Sequence, residues 1–310
     1  MSAFTAQYRQ TQGHRALRLL SRPLEGLIEG FLLLAALSSV LITVVIVGVL
    51  LWESSTFFRH VSLSDFLTDT QWTPLFADAH YGILPLMCGT FVTTTVALLI
   101  AIPVGTVIAV WLSEFAPAKL REFLKPCLEL IAAVPTVVYG YFALLVVTPL
   151  LQRIIPSLSG FNMLSAGLVM GLMIIPYISS LSEDAMRSVP QSLRHASLAL
   201  GASTFQTAWK VVLPAACSGL SAAYILGISR AIGETMVVAI AAGMQPVMTL
   251  NALQPAETIT AYIVQVSLGD LPHGSIGYQS IFAAGLVLML STLVFNIAGF
   301  FLRRKYREIY

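Results

Sequence analysis

Residues 30–52 read GFLLLAALSSVLITVVIVGVLLW, 23 positions without one charged side chain. About 20 apolar residues in a helix cross a bilayer core, so a run of this length reads as a membrane span. Residues 130–152, LIAAVPTVVYGYFALLVVTPLLQ, are equally free of charge. The same ruler laid outward from these two runs places six helices, at 27–51, 84–112, 128–150, 164–182, 212–240 and 280–302. The chain is expected to be all-α, a polytopic membrane protein. The fifth segment is too long for one upright span and contains Arg230, Gly233 and Glu234, so a tilt, a break or an early end is expected there.

Composition agrees. Only 10% of the 310 residues are charged and 57% are hydrophobic, where soluble domains carry about 25% charged residues. An ordinary soluble enzyme, a disordered chain and a disulfide scaffold are excluded. Lys and Arg near span ends stay on the cytoplasmic side of a membrane. Fourteen of the 17 basic residues fall on one side of the six-span scheme: Arg9, Arg15, Arg18, Arg22, Lys119, Arg121, Lys125, Arg187, Arg194, Lys210, Arg303, Arg304, Lys305 and Arg307. Arg59 and Arg153 fall on the other, and Arg230 lies inside. Both termini are therefore expected in the cytoplasm, with the first apolar run too long for a cleaved signal peptide. The expected layout is a basic tail at 1–26, a first helix and outer loop at 27–80, a transmembrane domain at 81–302 and a basic tail at 303–310. The outer loops, 53–80, 151–162 and 243–278, are too short for a separate domain. Cys88, Cys127 and Cys217 lie in or beside spans, so no disulfide framework is expected.

No G-x-x-x-x-G-K-[ST] loop occurs, so nucleotide hydrolysis by this chain is not expected and any ATP would be used by a partner. H-E-x-x-H, G-x-S-x-G and C-x-x-C are also missing, and the five His stand singly. No catalytic residue, metal site or bound cofactor is expected.

Two segments carry the functional signal. The first is Ser188-Val-Pro-Gln-Ser-Leu-Arg-His-Ala-Ser-Leu-Ala-Leu-Gly201. Ser188 can cap a short helix, Pro190 suits its first turn and Gly201 a left-handed stop. A second helix follows, with Ser203 and Gln206 at capping-box spacing and Phe205, Ala208, Trp209 and Val212 on one face. Pro214 then opens the fifth span. The apolar stripe packs on the chain's own spans, lies in the lipid interface, or docks on a partner. The second segment is Arg230-Ala-Ile-Gly-Glu234, a cation and an anion four residues apart and so expected on one helix face. The pair either locks two spans by a salt bridge or presents a guanidinium fork to a passing oxyanion, with Glu234 holding the Arg. Pro103, Pro135, Pro149 and Pro176 are expected to kink spans.

His195-Ala196-Ser197, three residues, Gly201, nine residues, Val211, one residue, Leu213-Pro214 resembles the EAA loop of binding-protein-dependent ABC importer permeases. His195 replaces the frequent Glu and Ser197 the frequent Ala, which removes a charge at position 195. Arg230-Ala-Ile-Gly-Glu-Thr-Met236, Ser-Glu-Phe-Ala-Pro117, Ala-Ala-Val-Pro-Thr-Val-Val-Tyr-Gly140 and Met-Ile-Ile-Pro-Tyr177 resemble the phosphate-importer branch, more the PstC type than its sister PstA. The resemblance spans 81–302. It implies the type I ABC importer permease fold, a coupling helix within 188–210 that docks on an ATPase, and phosphate movement by alternating access. The partners it implies are a PstA-like permease, two PstB-like ATPase subunits using ATP, and an extracytoplasmic PstS-like phosphate-binding protein. Arg121, Lys125 and residues 303–307 are read first as determinants of topology, with anionic membrane lipid as the alternative partner, and no nucleic acid is expected. Another oxyanion, sulfate or molybdate, is the nearest alternative cargo. A secondary carrier or channel using Arg230 and Glu234 as a gating pair is the alternative class, though it gives no reason for the 195–214 spacing.

Overall fold

The computed structural model describes the backbone of residues 2–305 and the side chains of residues 26–301. The basic side chains of the two expected tails lie outside the described residues. The chain divides into two units, Met1–Trp52 and Glu53–Tyr310. The first unit is most of α1 (Ser2–Phe57), whose stretch Gly26–Phe57 is long and apolar enough to span a membrane. Its large apolar side chains, from Leu27 to Val49, stand exposed.

The second unit is helical almost throughout. After α2 (Leu63–Thr68), α3 (Leu84–Val110) continues through a π turn at Trp111–Phe115. Then come α4 (Ala118–Ala132), α5 (Thr136–Phe142), a π turn at Ala143–Val147, α6 (Thr148–Gln152) and α7 (Met163–Arg187). The hairpin between spans is α8 (Gln191–Ala199) and α9 (Thr204–Thr207), followed by a π turn at Ala208–Val212 and α10 (Leu213–Ala215). The chain ends with α11 (Cys217–Ile232), α12 (Met236–Ala241), α13 (Ile259–Gln265) and α14 (Ile276–Lys305). Leu84–Phe115, Met163–Arg187 and Ile276–Phe301 are continuous spans, and two bent pairs complete a total of six with α1.

Those two pairs carry the kink expected at Pro135 in the span at 128–150 and a break of the kind expected for the segment at 212–240, and their helices start earlier, at Ala118 and Thr204. Ala118–Ala132 and Thr136–Gln152 meet at 81°, across Pro135. Thr204–Ala215 and Cys217–Ile232 meet at 72° at Ala216, so Pro214 precedes the bend and Cys217 opens the straight segment. Pro103 and Pro176, in contrast, sit inside helices that run on unbroken. The outer loop expected at 243–278 contains α13, which is buried. The three cysteines are free thiols.

The core is the α3–α7 pair with α11 and α12 laid against it. Small residues let these backbones approach closely, the usual solution where lipid gives no hydrophobic drive between helices. A Cβ at Gly171 would lie 2.8 Å from the Ala97 carbonyl oxygen, and one at Gly167 2.7 Å from Val96. At the end of the bundle away from the expected cytoplasmic loops, residues 251–258 fold over the start of α7. Leu164 N–H donates to Ala252 O and Met163 N–H to Gln254 O. The strand of chain at Glu257 lies on Gly89 of α3, where a Cβ would be 2.3 Å from the Glu257 carbonyl oxygen. The Glu257 side chain is 2% exposed and its Oε1 has no hydrogen-bond partner. Burial pushes its carboxyl from an ordinary 4.5 up to about 8, and the negative charge of Asp270 adds to the rise.

Two predictions follow from this packing. Gly171→Leu overpacks a backbone contact and costs about 1–3 kcal/mol or more, so the detergent-extracted protein should lose its monodisperse chromatographic peak. Gly160→Leu, where nothing lies within 4 Å of a Cβ, should keep it; equal behaviour would refute the α3–α7 contact. For Glu257 the folded state favours the protonated form. Stability is thus full below about pH 4.5 and falls as pH rises through about 8. Melting temperature in detergent should decline over that window and level off above it, and Glu257→Gln should flatten the profile. A wild-type profile already flat from pH 5 to 9 would contradict the buried neutral carboxyl.

Candidate functional site

The hairpin 188–214 is built from local rules. Ser188 closes α7 instead of capping α8: its backbone N–H donates to Asp184 O and its Oγ to Ala185 O. Pro190, expected in the first turn, occupies the N-cap position of α8. Gly201 adopts φ +84 and ends α8, with its N–H on Leu198 O and that of Ala202 on Ser197 O. A Cβ there would meet nothing within 4 Å, so the left-handed backbone alone demands glycine. The capping box is formed: Gln206 N–H donates to Ser203 Oγ and Ser203 N–H to Gln206 Oε1. A hydroxyl pair, Ser197 and Thr207 at 2.9 Å, ties the two arms together.

The expected single stripe divides. Ala208 and Val212 are buried, with Val212 in a cluster with Ala109, Met186 and Leu220. Phe205 and Trp209 face outward, stacked 6.5 Å apart, along an apolar groove whose other wall is α3. The π turn at Ala208–Val212 widens the helical period and moves the two pairs onto different faces. His195 and Ala196 are exposed, as is Leu200 at 90%. Val211 and Leu213 are half-buried, and Pro214 is exposed.

Arg194, one position before the quoted motif, was not among the expected site residues, and its side chain makes four hydrogen bonds. Its Nε and Nη2 donate to the two carboxylate oxygens of Glu114, at 3.1 and 3.0 Å. Nη2 also donates to Met186 O at 2.8 Å and Nη1 to Val189 O. Both side chains of the ion pair are about nine-tenths buried. Glu114 was visible in the sequence as the acid of Ser-Glu-Phe-Ala-Pro117, but nothing local joined it to residue 194. A second network lies beside it: Lys125 of α4 reaches Glu183 and Asp184 of α7, and Glu183 is fully buried.

Arg230 and Glu234 do not share a helix face. Helix α11 ends at Ile232 and α12 starts at Met236, so the break at 233–235 separates the two charges, and no ion pair joins them among the described residues. Each is matched to a helix end. Arg230 occupies the last turn of α11, where carbonyls favour a cation, and Glu234 precedes α12, with its Oε1 3.5 Å from Val237 N–H. Glu234 is 9% exposed, and its carbonyl accepts from Thr260 Oγ1 at 2.7 Å. Arg230 is exposed, about 20 Å along α11 from Cys217. Its guanidinium carbon stands 5.6 Å from the ring centre of Tyr177, near the middle of α7.

The second unit thus holds a helical hairpin at one end of its bundle and a cation that has no acidic partner among the described residues. Residues 101–308 match the family described as binding-protein-dependent transport system inner membrane component. A probable ABC transporter permease protein, YqgH of Bacillus subtilis, is 38% identical over 235 residues, 76% of each chain. The phosphate transport system permease protein PstC of Xylella fastidiosa is 34% identical over 299 residues, 89% of this chain and 90% of its own. A bacterial alginate ABC transporter superposes with a TM-score of 0.63 at 17% identity, over 87% of this chain and 92% of its own. The MetNI methionine ABC transporter gives 0.55 at 19% identity, over 73% and 95%. These likenesses establish the fold as that of type I ABC importer permeases. With residues 101–308 matched by the family and a relative 34% identical across about nine-tenths of both chains, the chain belongs to the inner membrane components of binding-protein-dependent transport systems.

Proposed function

We propose that the chain is one permease subunit of an ATP-driven importer that moves inorganic phosphate into the cytoplasm by alternating access. The carrying observation is Arg230: a cation exposed on the bundle surface, near mid-span, with a Tyr ring and, among the described residues, no carboxylate beside it. Against lipid such a charge costs about 2.5–3.5 kcal/mol even on insertion scales. Its face is therefore covered by a water-lined path or by a second permease, and an oxyanion crossing there meets a guanidinium with all its donors available. The name of the Xylella relative supports phosphate as that oxyanion.

The remaining assignments rest on the same reading. A homologous PstA-like permease covers the Arg230 face, two PstB-like ATPases receive the exposed surface of α8 at His195, Ala196 and Leu200, and a PstS-like protein delivers phosphate at the opposite end. This chain hydrolyses no ATP and holds no cofactor; the ATPases spend it. The basic loops and both termini face the cytoplasm. Gly201, Val211, Leu213 and Pro214 form the elbow through which ATPase closure reaches the spans.

In proteoliposomes containing the whole complex, phosphate uptake should require ATP and resist competition by sulfate and molybdate. Arg230→Gln should cut uptake at least about tenfold while the complex still assembles, since one charge-assisted bond is worth about 1.5–3 kcal/mol. Arg230→Lys should recover part of it. Full uptake by Arg230→Gln would reduce Arg230 to a structural role, and uptake without ATP would refute the importer. Gly201→Val forces a β-branched residue to positive φ, a strain of roughly 1–3 kcal/mol. It should lower uptake and the yield of ATPase copurified with the permease. Unchanged values for both would remove Gly201 from the elbow.

A further inference from the structure

A coupling helix has to transmit force, and α8 on its own is poorly built to do so. It is nine residues long, it ends at a glycine in the left-handed region, and its outer face is exposed. Hinged only at Pro190 and Gly201, it would roll under a push, and the push would go no further. Its inner face holds Leu193, packed against the cluster of Ala109, Met186 and Val212, and Arg194. Apolar packing is non-directional and resists rolling weakly. The guanidinium is planar, and it is held by four hydrogen bonds on three sides.

We infer that Arg194 and Glu114 are positioning residues of transport, a latch that makes α8 move as one body with the ends of α3 and α7. Glu114 lies in the π turn that prolongs α3, with Ser113 Oγ donating to its Oε1 at 2.8 Å. Met186 O belongs to the last turn of α7, and Val189 O to the link that follows it. One side chain of α8 therefore grips two of the three continuous spans of the second unit. Helix α7 also carries Tyr177, over which Arg230 lies. Movement of α8 then reaches the level of Arg230 through rigid elements, with no flexible loop between.

A competing role is that Arg194 merely satisfies the free carbonyls at the end of α7, with Glu114 present to balance its charge. The two roles differ in what breaks. A cap supports folding, so its loss lowers the amount of complex, and transport and ATP hydrolysis fall together. A latch supports transmission, so its loss leaves hydrolysis running while transport per ATP falls.

The inference rests on the coupling role proposed above for 188–214, and the test separates the two. The complete complex with both permeases, ATPases and binding protein is reconstituted in proteoliposomes, and phosphate taken up and ATP hydrolysed are measured on the same samples. Arg194→Gln and Glu114→Gln should each lower the uptake-to-hydrolysis ratio by about tenfold or more, as expected for breaking a buried, bidentate pair. The double variant should be no worse than either single, because both remove one interaction. Arg194→Lys keeps the charge but not the fork and should recover only a small part of the ratio. Should the Gln variants not accumulate, Glu114→Asp withdraws the carboxylate by one methylene with charge retained and carries the same readout. An unchanged ratio in the variants, or losses that multiply in the double variant, would overturn the latch. Wild-type uptake that proceeds without hydrolysis would instead overturn the coupling role of the hairpin.

Discussion

In hydrocarbon a backbone N–H or C=O has no water to turn to, and every interruption of a spanning helix must be sealed within the protein. The breaks in this chain follow that constraint. At 133–135 the Ala133 and Val134 N–H groups fold back onto carbonyls of α4, and Tyr139 Oη donates across the bend to Ile131 O at 2.7 Å. At 233–235 Gly233 N–H returns to Ser229 O, Glu234 N–H to Ala231 O, and the Glu234 carbonyl accepts from Thr260 of α13. Thus α13, a short helix inside a loop, supplies a donor to a break in another span. The charges at 230 and 234 belong to the same accounting, one at each of the two helix ends that the break creates.

Number and order of spans were legible because charge-free windows of span length have no other stable reading in a chain with 10% charged residues. Gly201 and the Ser203–Gln206 box were legible because both obey rules that act within four residues. What escaped depends on partners far along the chain. Arg230 and Glu234 count as helix neighbours by spacing, and only packing against Thr260 and the α5 residue Gly140, beside Met236 and Ile240, fixes the break. The stripe from Phe205 to Val212 was read at 3.6 residues per turn, and the π turn, invisible to periodicity, separates its members. Arg194 and Glu114 are 80 residues apart, one just before a recognisable motif and the other within one. Neither motif contains the information that they meet.

The end of the bundle bearing the basic loops contrasts with the opposite end. At the basic end, Lys125 with Glu183 and Asp184, and Arg194 with Glu114, join α4, α3, α7 and α8 through ion pairs, of which Glu183, Arg194 and Glu114 are largely withdrawn from water. At the other end the cluster of Phe57, Phe66, Trp72 and Tyr262 is held by edge-on aromatic contacts. Apolar contacts tolerate small displacements and lose energy gradually. Buried ion pairs are directional and, once a partner is lost, costly.

The two arginines that matter most are therefore used in opposite ways. Arg194 has its guanidinium engaged on a carboxylate and two carbonyls, so it has little left to offer a solute and can only hold its surroundings in register. Arg230 has a ring face and, among the described residues, no carboxylate partner, so on the proposed reading an oxyanion reaching it would displace no existing ion pair. An intramembrane salt bridge between Arg230 and Glu234 would have reversed this, since a passing anion would then have to compete with a carboxylate already in place. The helix break at Gly233 prevents that competition. By turning Glu234 toward the start of α12, it keeps that carboxylate off Arg230, which is what the proposed anion path requires.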